Sequence, residues 1–196
     1  MIHTVRYFLG VVTIIIVPAG VLFWLVIHPW ARWWRKLGLI TYLIVIPPLV
    51  VLGRLIYRVR AKLLGADLGT NWTLIGIALV LSCAMTWLES QYWKQLSIAT
   101  LVGIPELSLQ RPGKLLREGI YAKVRHPRYL SAGIGLLVNA FFINYAGLYI
   151  IVAVTIPIGY LILALEEREL VDRFGEAYRV YQREVPQLIP RLRRGR

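Results

Sequence analysis

Four long apolar runs limit what this chain can become: about 7–27, 37–57, 72–93 and 129–165. A helix that crosses a bilayer needs roughly 20 predominantly apolar residues. In hydrocarbon every backbone N–H and C=O must find a partner within the structure, so such runs fold as helices. The last run is too long for one crossing. Asn144 and Gly147 supply turn chemistry inside it, which divides it into about 129–143 and 145–165. The first of these is short at about 1.5 Å per residue. It is expected to start in the headgroup region, to tilt, or to stop short of a full crossing. The expected fold is an all-α polytopic membrane bundle of about five transmembrane helices. Composition agrees: 58% of residues are hydrophobic and 17% charged, against roughly 45–50% and 25% in soluble domains.

A net charge of +13 raises the question of nucleic acid. The basic residues flank apolar spans and form no single soluble face, so anionic lipid headgroups are the expected partner and nucleic acid is not. Of the 23 Lys and Arg, 18 fall in the 28–36 loop, the 94–128 segment and the tail after 165, and 5 on the other side. The positive-inside rule then puts the N-terminus outside and the C-terminus in the cytoplasm. Arg54, Arg58, Arg60 and Lys62 run against that bias. The first run is too long for a signal-peptide core and reads as a retained span. Trp30, Trp33 and Trp34 among basic residues read as an interfacial anchor. Prolines 47, 48 and 157 are expected to kink their helices. Cys83 is the single cysteine. It excludes a disulfide within the chain and a cysteine-based metal site, and its apolar setting suggests a small buried thiol.

Two polar clusters interrupt this scaffold. One is the basic stretch 113–129, which contains Arg125-His126-Pro127. A residue before proline is pushed out of helical geometry, so His126 is expected on an extended stretch, its ring aimed at a surface pocket. The other is Glu166-Glu167-Arg168-Glu169, where the last span leaves hydrocarbon. Ionisable groups at such a place are functional candidates. Adjacent helical positions lie about 100° apart, so Glu166 and Glu167 are expected to face different partners, one of them an arginine such as Arg125. Beyond them Leu170, Phe174, Tyr178 and Tyr181 make one apolar face of a short amphipathic helix, within a C-terminal segment of about 166–190 and ahead of a basic tail, 191–196.

Gly119-Ile-Tyr121, Arg125-His126-Pro127-x-Tyr129, Glu166-Glu167-x-x-Leu170, Phe174-Gly175-x-x-Tyr178-x-x-Tyr181 and Val185-Pro186 occur in that order. Together they resemble the isoprenylcysteine carboxyl methyltransferase and phospholipid methyltransferase superfamily. The resemblance covers about 113–190 and implies S-adenosylmethionine as cofactor, bound at the cytoplasmic surface. It divides the chain into a transmembrane scaffold, 1–112, and a methyltransferase core, 113–196. It points to Gly113, Lys114, Leu115, Leu116, Tyr121, Arg125, His126, Pro127 and Tyr129 as cofactor-binding residues. Glu166 and Glu167 are the catalytic candidates that it implies.

Prenylcysteine-methylating relatives typically carry an arginine four residues before the first glutamate. Here that position is Ile162. A lipophilic acceptor with an amine or thiol therefore competes with an isoprenylcysteine carboxylate. Two other classes stand beside this reading. A sterol-reductase-like oxidoreductase shares the C-terminal pattern, yet the chain has no Gly-rich phosphate turn of the usual kind. A non-enzymatic lipid-binding protein would not require both polar clusters.

Overall fold

The computed structural model describes residues 1–96 and 114–190; Gly113 and the basic tail lie outside them. Eight α-helices are described: α1 Ile2–Ile27, α2 Ala31–Leu37, α3 Ile40–Arg58, α4 Arg60–Leu64, α5 Trp72–Trp93, α6 Pro127–Ile143, α7 Ala146–Phe174 and α8 Glu176–Glu184. A 3-10 turn, Gly119–Ala122, precedes α6. Asp67 and Tyr145 form an isolated antiparallel bridge, and no strand is present among the described residues. The all-helical architecture is as expected.

Helices α1, α3, α5 and α7 are long and apolar enough to cross a membrane. With α6 they make the helical bundle of an integral membrane protein. Helix α6 has 17 residues, about 26 Å of rise, against a hydrocarbon core of about 30 Å. Its two ends nonetheless reach opposite polar ends of the bundle, as shown below.

Local chemistry sets the boundaries. The Asn71 side chain accepts the Leu74 N–H at 3.1 Å and caps the start of α5. Pro127 opens α6, where its missing N–H is harmless and its fixed φ already suits a helix. Asn144 ends α6 in the left-handed region at φ 52°, a conformation its short polar side chain tolerates.

Two expectations about the C-terminal segment need correction. The helix of the last span does not end at the glutamates: α7 continues for nine residues past Leu165, to Phe174. The amphipathic segment is not one helix either. Gly175, at φ 59°, ends α7 and starts α8, a turn that a residue with a side chain enters only with strain. Leu170, Phe174, Tyr178 and Tyr181 still share one cluster, now built from two helices.

Helix α1 packs against α3, α6 and α7, while α5 lies mainly on α6. One core joins Val11 and Ile14 of α1 to Leu64, Ala140, Ile143 and Leu148. Within lipid, apolar burial gives helices little reason to associate, so close packing and polar contacts carry more of the burden. Gly147 shows how close: a Cβ there would lie 1.9 Å from the Leu63 carbonyl oxygen. Cys83, by contrast, is exposed on α5 and is not a buried thiol. Trp34 is also reassigned. It is buried with Ile27 and Val45, and its indole N–H donates to the Val26 carbonyl at 2.8 Å, while Trp30 and Trp33 stay exposed.

Candidate functional site

The two polar clusters meet at one end of the bundle, and Glu167 is where they join. Its Oε1 accepts from Arg125 Nε at 2.9 Å and from His126 Nε2 at 3.0 Å. The Tyr178 hydroxyl approaches the same oxygen at 3.4 Å. Oε2 accepts from the Gln182 amide at 3.1 Å. Such charge-assisted bonds are the strong ones, and together they occupy most of what a carboxylate can accept.

Arg125 does a second job. Its Nη1 donates to the carbonyls of Gln182 at 2.8 Å and Val185 at 2.6 Å. These lie at the C-terminus of α8, where helical carbonyls lack intrahelical partners. The backbone adds to the join: Arg125 N–H donates to Pro186 O at 2.9 Å, and His126 N–H to Gln187 O at 3.1 Å. The Tyr181 hydroxyl donates to the Tyr121 carbonyl at 2.6 Å. The C-terminal segment is thus fastened to the Arg-His-Pro segment by side chains and main chain alike.

His126 departs from expectation. It is non-helical, at φ −125° and ψ 63°, but its side chain is buried and turned towards Glu167, not towards a surface pocket. Its ring meets Tyr129 edge-on at 5.7 Å. Pro127 is fully buried beneath it. Leu115 packs against the Tyr178–Tyr181–Val185 cluster and Leu116 against the Tyr121 cluster. Lys114 is exposed.

Glu166 and Glu167 do face different partners. Glu167 takes Arg125, one of the two pairings expected. Glu166 is half-buried and makes no hydrogen bond or ion pair with a described residue. It lies near enough to Tyr121 and Tyr178 to oppose their ionisation. Burial pushes both phenols well above their ordinary range, and Glu166 adds to the effect. Burial likewise pushes Tyr181 up to about 12. These hydroxyls stay protonated, and those of Tyr178 and Tyr181 serve as hydrogen-bond donors.

Beside Glu167 a groove of about 310 Å³ is lined by Ala164, Arg168, Val171, Asp172, Gln182 and Gln187. It combines apolar walls with acids, amides and one guanidinium. An amino-acid sulfonium carries an ammonium, a carboxylate and an apolar chain, groups for which these side chains could offer partners.

A neighbouring cluster was not legible beforehand. His28 Nδ1 lies 3.0 Å from Glu169 Oε2, Arg35 also binds Glu169, and Arg32 Nη2 donates to Asp172 at 2.7 Å. The His28 ring stacks on Trp24 at 5.1 Å. Glu169 is two residues beyond Glu167 and hence on the far side of α7. The 28–36 loop therefore docks onto the helix that carries the glutamates; it is more than a headgroup anchor. Nothing in the local sequence signals which acid His28 meets. No group of three or more His, Cys, Asp or Glu that could hold a metal ion occurs among the described residues.

Fold and site define an integral membrane helical protein with one polar hub at a bundle end. A stretch of 74 residues is 43% identical to Methanethiol S-methyltransferase 1 of Bradyrhizobium diazoefficiens (strain USDA 110), covering 36% of this chain. The matched stretch spans about a quarter, 24%, of that relative's length. No family model matches the chain. No solved structure matches it either.

Proposed function

We propose that the chain is an integral-membrane methyltransferase that takes its methyl group from S-adenosylmethionine and transfers it to a small lipophilic thiol. The observation that carries this reading is the junction at Glu167, where the Arg-His-Pro segment, the glutamate pair and the C-terminal segment meet beside a groove. The similarity to a methanethiol S-methyltransferase supports both the reaction and the acceptor class. Ile162 argues independently against a carboxylate acceptor. It is only 3% exposed, so the position suited to an arginine for a substrate carboxylate holds a buried apolar side chain.

The donor, when bound, supplies a methyl group on a sulfonium for in-line displacement by the acceptor sulfur. The residues of this chain do the rest. Glu166, half-buried near Tyr121 and Tyr178 and with no described partner on its oxygens, is the candidate base. It attracts positive charge and takes the proton that a thiol releases as its S–CH₃ bond forms. Asp172 and Arg168 hold the ammonium and carboxylate at the groove's rim. Glu167, Arg125 and His126 act as positioning residues: they fix the α8 wall and the 125–127 segment. Correct placement of reacting atoms is worth about 7–11 kcal/mol in such a displacement. The cytoplasmic face is the expected side for this site.

Calorimetry with S-adenosylhomocysteine on protein folded in detergent tests the cofactor. Heat of binding and a raised melting midpoint are expected, because a ligand for the folded state stabilises it. Methyl-labelled S-adenosylmethionine offered with short alkanethiols, phosphatidylethanolamine or prenylcysteine tests the acceptor. Label is expected in the thioether product. Binding without thiol labelling would move the acceptor to the lipid amine or carboxylate, and no binding would remove the methyltransferase reading.

A further inference from the structure

At the end of the bundle away from Glu167, α1 and α3 leave an apolar groove of about 600 Å³ between them. Ile15 and Ala19 form one wall, Ile46 and Val50 the other. Gly53 lets the helices approach there: an ideal Cβ at that position would sit 3.2 Å from Ile15 Cγ2. From Ile46 to Arg58 the groove runs about 18 Å along α3 at 1.5 Å per residue. Half of a hydrocarbon core of about 30 Å is about 15 Å. The groove therefore has the depth of one leaflet.

Arg54 and Arg58 line its outer end, both exposed. They are four residues apart, so their side chains leave the same helix face, with Cβ atoms about 5–6 Å apart. Neither has an acidic partner among the described residues. The neighbouring cation, Arg60, is engaged: Nη1 donates to Tyr57 O at 2.9 Å and the guanidinium lies over the Tyr57 ring. The acid at this end, Asp67, is held by Arg6 and His3. Two like charges one turn apart repel each other, and a shared anion relieves that repulsion. These are also the basic residues that ran against the charge bias of the loops.

The geometry points to a binding site for an anionic glycerophospholipid, with one acyl chain in the α1–α3 groove and the phosphodiester between Arg54 and Arg58. Its lipid comes from the leaflet opposite the candidate methyltransferase site, and it does not depend on that function. A second copy of the chain is a poor occupant, because it would bring the same two arginines to the contact. A free phosphate would leave the apolar groove without a role.

Native mass spectrometry of the full chain released from detergent tests this, with phosphatidylglycerol, phosphatidylcholine and sn-glycerol 3-phosphate as probes. Two basic residues near a membrane surface favour anionic lipid by about tenfold or more. Phosphatidylglycerol is expected to be retained about tenfold over phosphatidylcholine, and equimolar glycerol phosphate is expected not to displace it. The double variant Arg54→Gln/Arg58→Gln is expected to bring the two lipids within about twofold, while Arg54→Lys/Arg58→Lys keeps the preference. Ala19→Phe fills the groove and is expected to lower retention of phosphatidylglycerol with both arginines intact. Equal retention of the two lipids by the parent, displacement by glycerol phosphate, or a dimer lost on Ala19→Phe would each overturn the proposal. The parent measurements and the lysine variant decide it even if the glutamine pair fails to fold.

Discussion

The two ends of the bundle solve the same problem with different residues, and what each has left over differs. At one end Arg6, 2% exposed, donates from Nε to Ile143 O at 2.8 Å and from Nη2 to Asn144 O at 3.2 Å, and it pairs with Asp67. It closes the C-terminus of α6 as Arg125 closes that of α8. Around it the chain is sealed: Leu68 N–H donates to Asn144 O at 3.1 Å, Ala146 N–H to Ala66 O at 3.0 Å, and the Asn144 amide to Gly69 O at 2.9 Å. Among the described residues its carboxylate is Asp67, taken by Arg6, His3 and the Gly69 N–H. At the other end Arg125 and Glu167 form an equivalent clasp beside a groove, yet Glu166 is left over, near Tyr121 and Tyr178 and without a hydrogen bond or ion pair to a described residue. A polar cluster in a membrane protein becomes a candidate site through what it leaves unsatisfied, not through its mere presence.

Removing Arg6 should give the largest effect. Arg6→Met leaves two carbonyls and a carboxylate without their shared cation, and breaking a buried pair of this kind costs about 3 kcal/mol. Thermal melts in one detergent read the loss. Affinity of the surviving folded protein for S-adenosylhomocysteine should stay within about twofold, an energy of about 0.4 kcal/mol. An equal loss at the far end would show that the ends are not independent. Glu167→Gln comes next, at about 2 kcal/mol for charged hydrogen bonds lost from a half-buried group. Here stability and ligand affinity should fall together, because the same contacts hold the fold and the groove wall.

Glu166→Gln sharpens the contrast between adjacent glutamates. Melting should stay within about 0.5 kcal/mol, as for a residue without structural partners. Turnover should fall about tenfold with KM nearly unchanged, the mark of an interaction made in the transition state. A destabilised variant with normal turnover would exchange the roles of the pair. The smallest effect concerns acid. Burial pushes the Asp67 carboxyl upward, but the Gly69 N–H and Arg6 outweigh it and leave it below its ordinary range. A depressed folded value contributes stability above about pH 4, the unfolded value, which is lost as pH falls through the folded one. Asp67→Asn should therefore flatten the acid limb of the melting profile and leave its neutral part sloping as before.

The long apolar helices, the break at Asn144 and the run of α5 were legible because apolar length and turn chemistry are local properties. So was the meeting of Arg125 with one glutamate, once the two clusters were matched to a family pattern. The burial of His126 was not legible. Its pre-proline position fixes the backbone, but the direction of the ring depends on α8 closing over it. The continuation of α7 past Leu165 was hidden because a charged run reads as an exit from lipid, although it need not end a helix. Gly175 falls inside the stretch expected to form one amphipathic helix, and its positive φ breaks that helix in two. Arg6, His28 and Asp67 escaped notice because each finds its main partners at least 60 residues away, and no periodicity encodes such a meeting.

The backbone bonds from Arg125 and His126 to Pro186 and Gln187 carry a consequence for biogenesis. Chains fold from the N-terminus as they are synthesised. Helices α1 to α6 and the start of α7, and with them the Arg6 end, can be inserted and sealed while the carbonyls that complete the Glu167 junction have not yet been polymerised. The protein would thus reach its membrane as a finished scaffold with an unfinished hub. Synthesis of residues 186 and 187 would then convert one into the other, so that a ribosome stalled shortly before codon 186 would leave an inserted chain without these two backbone bonds.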